Sequence, residues 1–148
     1  MKRNRARSFL ILFLLILIYF ACRQDADDPP SENPTQSGAS ARGAVLVTDE
    51  IKLDFSKHKV TFIELGADRC IPCKAMQPIM KEIAKEYIGT IQVVFYDVWK
   101  DPRPAEKYQI QLIPTQVFID RNGKEIFRHV GFFPKEEILK MLKDKSVL

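Results

Sequence analysis

Val60-Thr61-Phe62-Ile63-Glu64-Leu65-Gly66-Ala67-Asp68-Arg69-Cys70-Ile71-Pro72-Cys73 opens the stretch that decides this fold, and Lys74 to Tyr87 completes it. Its first six residues form a nearly continuous apolar, β-prone run, the pattern of a strand covered on both faces. Beyond Cys73, residues Met76, Ile79, Met80, Ile83, Ala84 and Tyr87 recur at i, i+3, i+4 and i+7. Lys74, Gln77, Lys81, Glu82, Lys85 and Glu86 take the other side, so the spacing predicts an amphipathic helix, kinked at Pro78. A strand thus delivers two cysteines to a helix N-terminus. There the unpaired backbone N–H groups and partial positive charge favour thiolate over thiol. Cys70 falls at or just before the first turn, where its sulfur can meet a substrate. Cys73 lies one turn further in and within disulfide reach.

The flanking segments extend the pattern. Val45 to Val47 suits a first edge strand, and Glu50 to His58 a short irregular or helical passage. Gly89 offers a break after the long helix, and Ile91 to Tyr96 is a second buried strand. Pro102 and Pro104 open a short helix through Tyr108. Gln116 to Asp120 and Glu125 to Val130 are strands joined at Asn122-Gly123, the preferred type I′ hairpin turn. Pro134 starts a closing helix with Ile138, Met141 and Leu142 as its apolar stripe; Glu136 and Glu137 lie in its first turn and Lys140, Lys143 and Lys145 toward its end. The β-α-β-α order implies parallel pairing at the centre and the hairpin adds an antiparallel pair. The fold class is α/β, a central mixed sheet flanked by helices.

Three chemistries suit Cys70 and Cys73: thiol exchange, zinc ligation, or a structural disulfide. Zinc asks for four ligands; beyond this pair the sequence offers His58, His129 and Cys22, with no second C-x2-C and no H-x3-H. A disulfide closing so small a ring removes little unfolded-state entropy, so stability alone is a weak reason for one. The strand-to-helix context favours redox chemistry. Arg69 and Lys74 add positive potential beside the pair and Asp68 opposes them in part. Glu64, six residues before Cys70 amid Phe62, Ile63 and Leu65, is a carboxylate in an apolar strand, where burial is costly and raises the pKa.

Cys70-Ile71-Pro72-Cys73 after a hydrophobic strand, Pro78 five residues beyond the second cysteine, and Ile113-Pro114-Thr115 downstream together resemble the thioredoxin family over roughly Val45 to Leu142. That resemblance implies a thioredoxin fold in which Pro114 is a cis-proline beside the dithiol. Ile113 and Thr115 then line the substrate groove, with Trp99 a candidate for its rim. It also implies that Glu64, standing where the family has a buried aspartate, exchanges a proton with the resolving Cys73 after Cys70 has attacked as nucleophile. The expected activity is extracytoplasmic protein-disulfide reduction, with no metal or organic cofactor. Disulfide-containing proteins are the expected substrates and an integral-membrane thiol transporter the expected electron donor. A disulfide-forming oxidant is the alternative within the enzyme class; a metal-binding or chaperone module is the one outside it. Oxidants of that kind resemble thioredoxin with a large helical insertion before the cis-proline, and the interval from Cys73 to Pro114 has space only for the compact fold. The chain departs from the family at Arg69, usually aromatic, and at Ile71, usually glycine, so the resemblance does not set the reduction potential.

The charge balance bears on location. Of 148 residues, 23 are basic and 19 acidic, a formal net charge of +4. Lys2, Arg3, Arg5 and Arg7 account for that excess, so the rest carries no net basic surface for nucleic acid. Phe9 to Ala21 is wholly apolar or aromatic. At about 1.5 Å per residue such a helix rises roughly 20 Å, short of a ~30 Å hydrocarbon core, and with its basic flank it has the form of an export signal. Ala21-Cys22 resembles the end of a bacterial lipoprotein signal, with Cys22 lipidated. Ordinary cleavage and an uncleaved anchor are the other two endings. All three put the domain outside the cytoplasm, tethered to the membrane if lipidated or uncleaved. Arg23 to Gly43, rich in proline and serine and nearly free of apolar residues, suits a disordered tether. The expected plan is a signal or anchor at 1–21, a tether at 22–43 and a thioredoxin-like domain at 44–148.

Overall fold

Strand β2, Val60–Gly66, is the centre of the molecule: all seven of its residues are buried. The computed structural model describes residues 43–148. The apolar segment at 1–21, Cys22 and the tether up to residue 42 lie outside the described residues. Around β2 the other strands are β1 (Leu46–Val47), β3 (Ile91–Asp97), β4 (Thr115–Asp120) and β5 (Glu125–Val130), in the spatial order β1-β3-β2-β4-β5. The β1–β3 and β3–β2 pairs are parallel; β2–β4 and β4–β5 are antiparallel. The expected mixed sheet is therefore present, with its β-prone apolar strands at the centre.

Alternation along the strands sorts the core into two layers. Val60 and Phe62 of β2, Val93 and Phe95 of β3 and Phe118 of β4 share one face with Met76, Met80 and Ile83 of helix α1 (Ile71–Glu86) and Ile138, Met141 and Leu142 of helix α3 (Lys135–Asp144). The opposite face holds Ile63, Leu65, Val94, Tyr96, Val117 and Ile119 with Tyr108, which follows the short helix α2 (Arg103–Lys107). On that side the Glu50–His58 passage is irregular rather than helical, and the Tyr96 hydroxyl donates to the Glu50 carbonyl at 2.7 Å.

Pro78 lies inside α1 without interrupting it, and α1 runs sixteen residues as one element. Its last turn ends at Tyr87, and Gly89, at φ +79°, turns the chain toward β3 as its sequence position suggested. The β4–β5 connection departs from the expected type I′ turn. Gly123 takes a positive φ of +79° and Asn122 does not. The Gly123 N–H donates to the Asp120 carbonyl at 3.0 Å and the Asp120 N–H to the Lys124 carbonyl at 2.9 Å, closing a three-residue loop. The Asp120 carboxylate decides this geometry by accepting the N–H groups of Asn122 and Lys124, both at 2.9 Å.

Among the described residues no helix is long and apolar enough to cross a membrane.

Candidate redox site

The C-terminal ends of β2 and β3, the N-terminus of α1 and the start of β4 meet at one end of the sheet. Cys70 and Cys73 stand there, joined as a disulfide with Cα atoms 5.2 Å apart. The two sulfurs are not equivalent. Cys70 caps α1 in extended conformation, retains 9% exposure and accepts the Cys73 N–H on its sulfur at 3.3 Å. Cys73 is fully buried. No acidic residue occupies the first turn of α1, so nothing there offsets the helix terminus. Arg69 and Lys74 are both exposed beside it. Asp68, which opposes them in sequence, pairs with Lys100.

Two features hold this end together. The Asp97 carboxylate, at the end of β3, accepts the backbone N–H of Asp68 at 3.3 Å, of Trp99 at 3.1 Å and of Lys100 at 3.3 Å. It thereby ties the loop before Cys70 to the loop after β3. Burial pushes the Asp97 pKa up, but these hydrogen bonds and the Lys100 ammonium outweigh it and hold the carboxyl below its usual range. The second feature is Gly66. A Cβ there would meet the Cys73 Cβ at 3.1 Å, its sulfur at 3.2 Å and the Phe95 ring at 3.2 Å. Glycine lets the buried cysteine lie against the strand end.

Glu64 is fully buried two residues before Gly66, on the same face of β2 by strand alternation. Neither carboxyl oxygen has a hydrogen-bond partner. Burial pushes its pKa up to about 8; Gln116, directly opposite on β4, works the other way. Burial thus favours the protonated carboxyl over much of the range where an ordinary glutamate is ionised.

The Ile113–Pro114 bond is cis and Pro114 is buried. Ile113 packs against Ala67, Cys70 and Cys73. Thr115 is buried too, its hydroxyl donating to the Leu112 carbonyl at 2.6 Å, so its side chain closes the turn around Pro114. The Pro114 carbonyl accepts the Gly131 N–H at 2.8 Å. Trp99 is 61% exposed on the loop that Asp97 fastens to the dithiol loop, which suits a rim. Ile71 and Leu112 are further exposed apolar residues beside the dithiol and cis-proline in sequence.

His58 precedes β2 at the end of the sheet away from Cys70, and its Nδ1 is buried without a partner. His129 lies on β5, stacked on Phe133 with ring centroids 4.1 Å apart. Neither histidine joins the cysteines, and among the described residues no group of three or more potential ligands is arranged to hold a metal ion. Gly66, Asp97 and Gln116 are the site's contributors that sequence reading passed over. Gln116 carried a usable signal, a polar residue directly before the apolar run Val117-Phe118-Ile119; Asp97 and Gly66 act in part through Asp68 and Phe95, which are distant from them in sequence.

The thioredoxin family model matches residues 44–144. Thioredoxin of Staphylococcus aureus is 34% identical over 98 residues, covering 66% of this chain and 93% of that protein. Thioredoxin of Staphylococcus saprophyticus is 31% identical over 99 residues, covering 67% and 94%. Among solved structures, a thioredoxin variant from Halobacterium salinarum matches with a TM-score of 0.62 at 22% identity, over 72% of this chain and 95% of that one. Thioredoxin f from spinach chloroplast matches with a TM-score of 0.61 at 19% identity, over 74% and 99%. These two structures bear on the fold.

Proposed function

This chain belongs to the thioredoxin family and carries its thiol–disulfide oxidoreductase chemistry on Cys70 and Cys73, and from that premise we propose that it is an extracytoplasmic, membrane-tethered protein-disulfide reductase. The observation that carries the mechanism is the asymmetry of the two cysteines, Cys70 keeping slight exposure at the helix N-terminus and Cys73 fully buried beneath it. In the reduced protein the Cys70 thiolate, stabilised by the Cys73 N–H and the helix terminus, attacks one sulfur of a substrate disulfide. The other substrate sulfur leaves as a thiolate and takes a proton from solvent. Cys73 then gives its proton to ionised Glu64 and attacks the Cys70 sulfur of the mixed disulfide, releasing the second substrate thiolate. The substrate gains two electrons and the protein is left in the disulfide form described above. A second dithiol must return those electrons, and a membrane thiol transporter fits a domain held outside the cytoplasm.

Ile113 and the exposed Trp99 would flank the incoming chain, with Pro114 presenting the backbone before it; Thr115 would contribute through its main chain. Between α1 and Pro114 the chain holds only β3 and the five-residue α2, which favours a compact reductase over an oxidant with a large helical insertion. The export reading rests on the basic flank, the Phe9–Ala21 run and Cys22.

Equilibration of the dithiol with glutathione buffers tests the direction. A potential near that of thioredoxin, about −270 mV, supports reduction, and one near −120 mV makes the protein an oxidant. For location, Cys22→Ala should release the domain from membranes; retention with the mass of an uncleaved chain would instead make the apolar segment the anchor, and a wild-type chain found only in the cytosol would end the extracytoplasmic reading.

A further inference from the structure

Strand register sets a row of four side chains across the face of the sheet covered by α1 and α3. Phe95 of β3 pairs with Glu64, Glu64 with Gln116 of β4, and Gln116 with His129 of β5. Directly opposed residues of an antiparallel pair bring their Cβ atoms within about 4.5–5.5 Å and point the same way, so the Glu64 carboxyl and the Gln116 carboxamide stand within reach of one another. Both are fully buried. Both carboxyl oxygens of Glu64 and the Gln116 Oε1 have no partner. The Gln116 amide is not loose: its Nε2 donates to the Gly131 carbonyl at 3.0 Å. That bond uses one of two N–H groups and leaves the second N–H and Oε1 for the carboxyl.

The other groups facing Glu64 offer it little. The core on this face is built of Met76 of α1, Ile138 of α3, Phe95 of β3 and Phe133 before α3, and Cys73 and Phe95 lie against Gly66, two residues along β2 from Glu64. His129, at the far end of the row, stacks on Phe133 with its Nε2 3.2 Å from the Phe132 carbonyl. No lysine, arginine or aspartate is among these residues.

We propose that Gln116 is the positioning residue for proton exchange at Glu64, its anchored carboxamide serving both protonation states of the carboxyl. This rests on the reading of Glu64 as the group that takes the Cys73 proton. When Glu64 is protonated its O–H donates to the Gln116 Oε1. When it is ionised it accepts the second Nε2–H. An apolar residue in this strand would leave the carboxylate with no donor in a medium where an unpaired charge is most costly. Gln116 therefore enlarges the ionised fraction of Glu64 at neutral pH, and with it the fraction of molecules able to accept the proton from Cys73. The same amide fixes Gly131, whose N–H holds the Pro114 carbonyl, so the substrate-facing turn and the buried acid share one support.

The test uses the full chain and Gln116→Met, which keeps the volume and removes both hydrogen-bonding atoms, with Gln116→Leu as a second variant should the first fail to fold. Carboxyl carbon NMR of the disulfide form reads the Glu64 midpoint directly, and single-turnover kinetics read the pH profile of resolution. Gln116→Met should move the midpoint and the profile together to higher pH by about one unit, roughly a tenfold loss of rate at pH 7 that recovers in alkali. In a Glu64→Gln background the same substitution should add no further shift. An unmoved midpoint overturns the proposal. So does a change confined to KM, which is what slackening of Gly131 alone would give. Should the protein prove not to reduce protein disulfides, the midpoint in the disulfide form still decides whether Gln116 pairs with Glu64.

Discussion

Gly66 and Cys73 are in such close contact that a single methyl group on the strand would crowd the buried sulfur: the Cβ position lies 3.1 Å from the Cys73 Cβ and 3.2 Å from its Sγ. Strand and dithiol helix are fitted by the absence of a side chain. Neither residue can be understood without the other.

Gly66→Ala should therefore cost about 1–3 kcal/mol through overpacking, since Cys73 and Phe95 are both fixed in the core. Urea denaturation of the oxidised protein measures it. An unchanged midpoint would mean that α1 moves outward freely.

The burial difference between the sulfurs predicts unequal variants. Cys73→Ser should accumulate mixed disulfides with substrate through Cys70, because attack survives and resolution does not. Cys70→Ser should trap little and reduce nothing. Mass spectrometry of non-reduced adducts checks this, and trapping chiefly through Cys73 would reverse the assignment.

Glu64 makes stability depend on pH in a direction opposite to that of a salt-bridged acid. Its pKa rises from 4.5 to about 8 on folding, so between those values the native state holds a proton that the unfolded chain has released. Its contribution is complete below about pH 4.5 and is lost as pH rises through about 8. Glu64→Gln should remove that slope. The variant should gain a few kcal/mol over wild type above pH 8 and little at pH 4, because only above its folded pKa does Glu64 bring a buried charge that the neutral carboxamide lacks. Resolution should slow near neutral pH in the same variant. Chemical denaturation across pH and identical pH-rate profiles are the respective checks against these expectations.

Asp97→Ala removes the acceptor for the N–H groups of Asp68, Trp99 and Lys100 and should cost about 1–3 kcal/mol. It should also speed amide exchange at Asp68 and Trp99 ahead of the sheet. The pH dependence runs the usual way for an acid with a lowered pKa: the contribution is present above the ordinary carboxylate range and disappears as pH falls through the depressed value. Unaltered exchange at Asp68 would show that the dithiol loop holds its shape without Asp97.

The sequence by itself determined what depends on near neighbours in the chain. Val60 to Leu65 is apolar throughout because a central strand has no solvent face, and the 3.6-residue stripe from Met76 to Tyr87 marks a helix with one buried side. Two cysteines three residues apart at that helix start lie within reach of a disulfide. The family resemblance added what local pattern could not, the cis bond at Pro114 and the proton-exchange role expected of Glu64. Only the tertiary structure decided which groups meet across the sheet. Glu64 faces Gln116 because β2 and β4 pair in one register, and a slip of a single residue would set a different side chain opposite each. The Asn122-Gly123 dipeptide suits either a two-residue or a three-residue turn; the Asp120 carboxylate, accepting from Asn122 and Lys124, selected the longer one. Asp97 and Gly66 act on Asp68 and Cys73 through contacts that close only when strands and helix are packed, and such contacts leave no periodic trace in the sequence. Composition and spacing record the faces a segment must bury, whereas register and long-range packing record what each face is buried against.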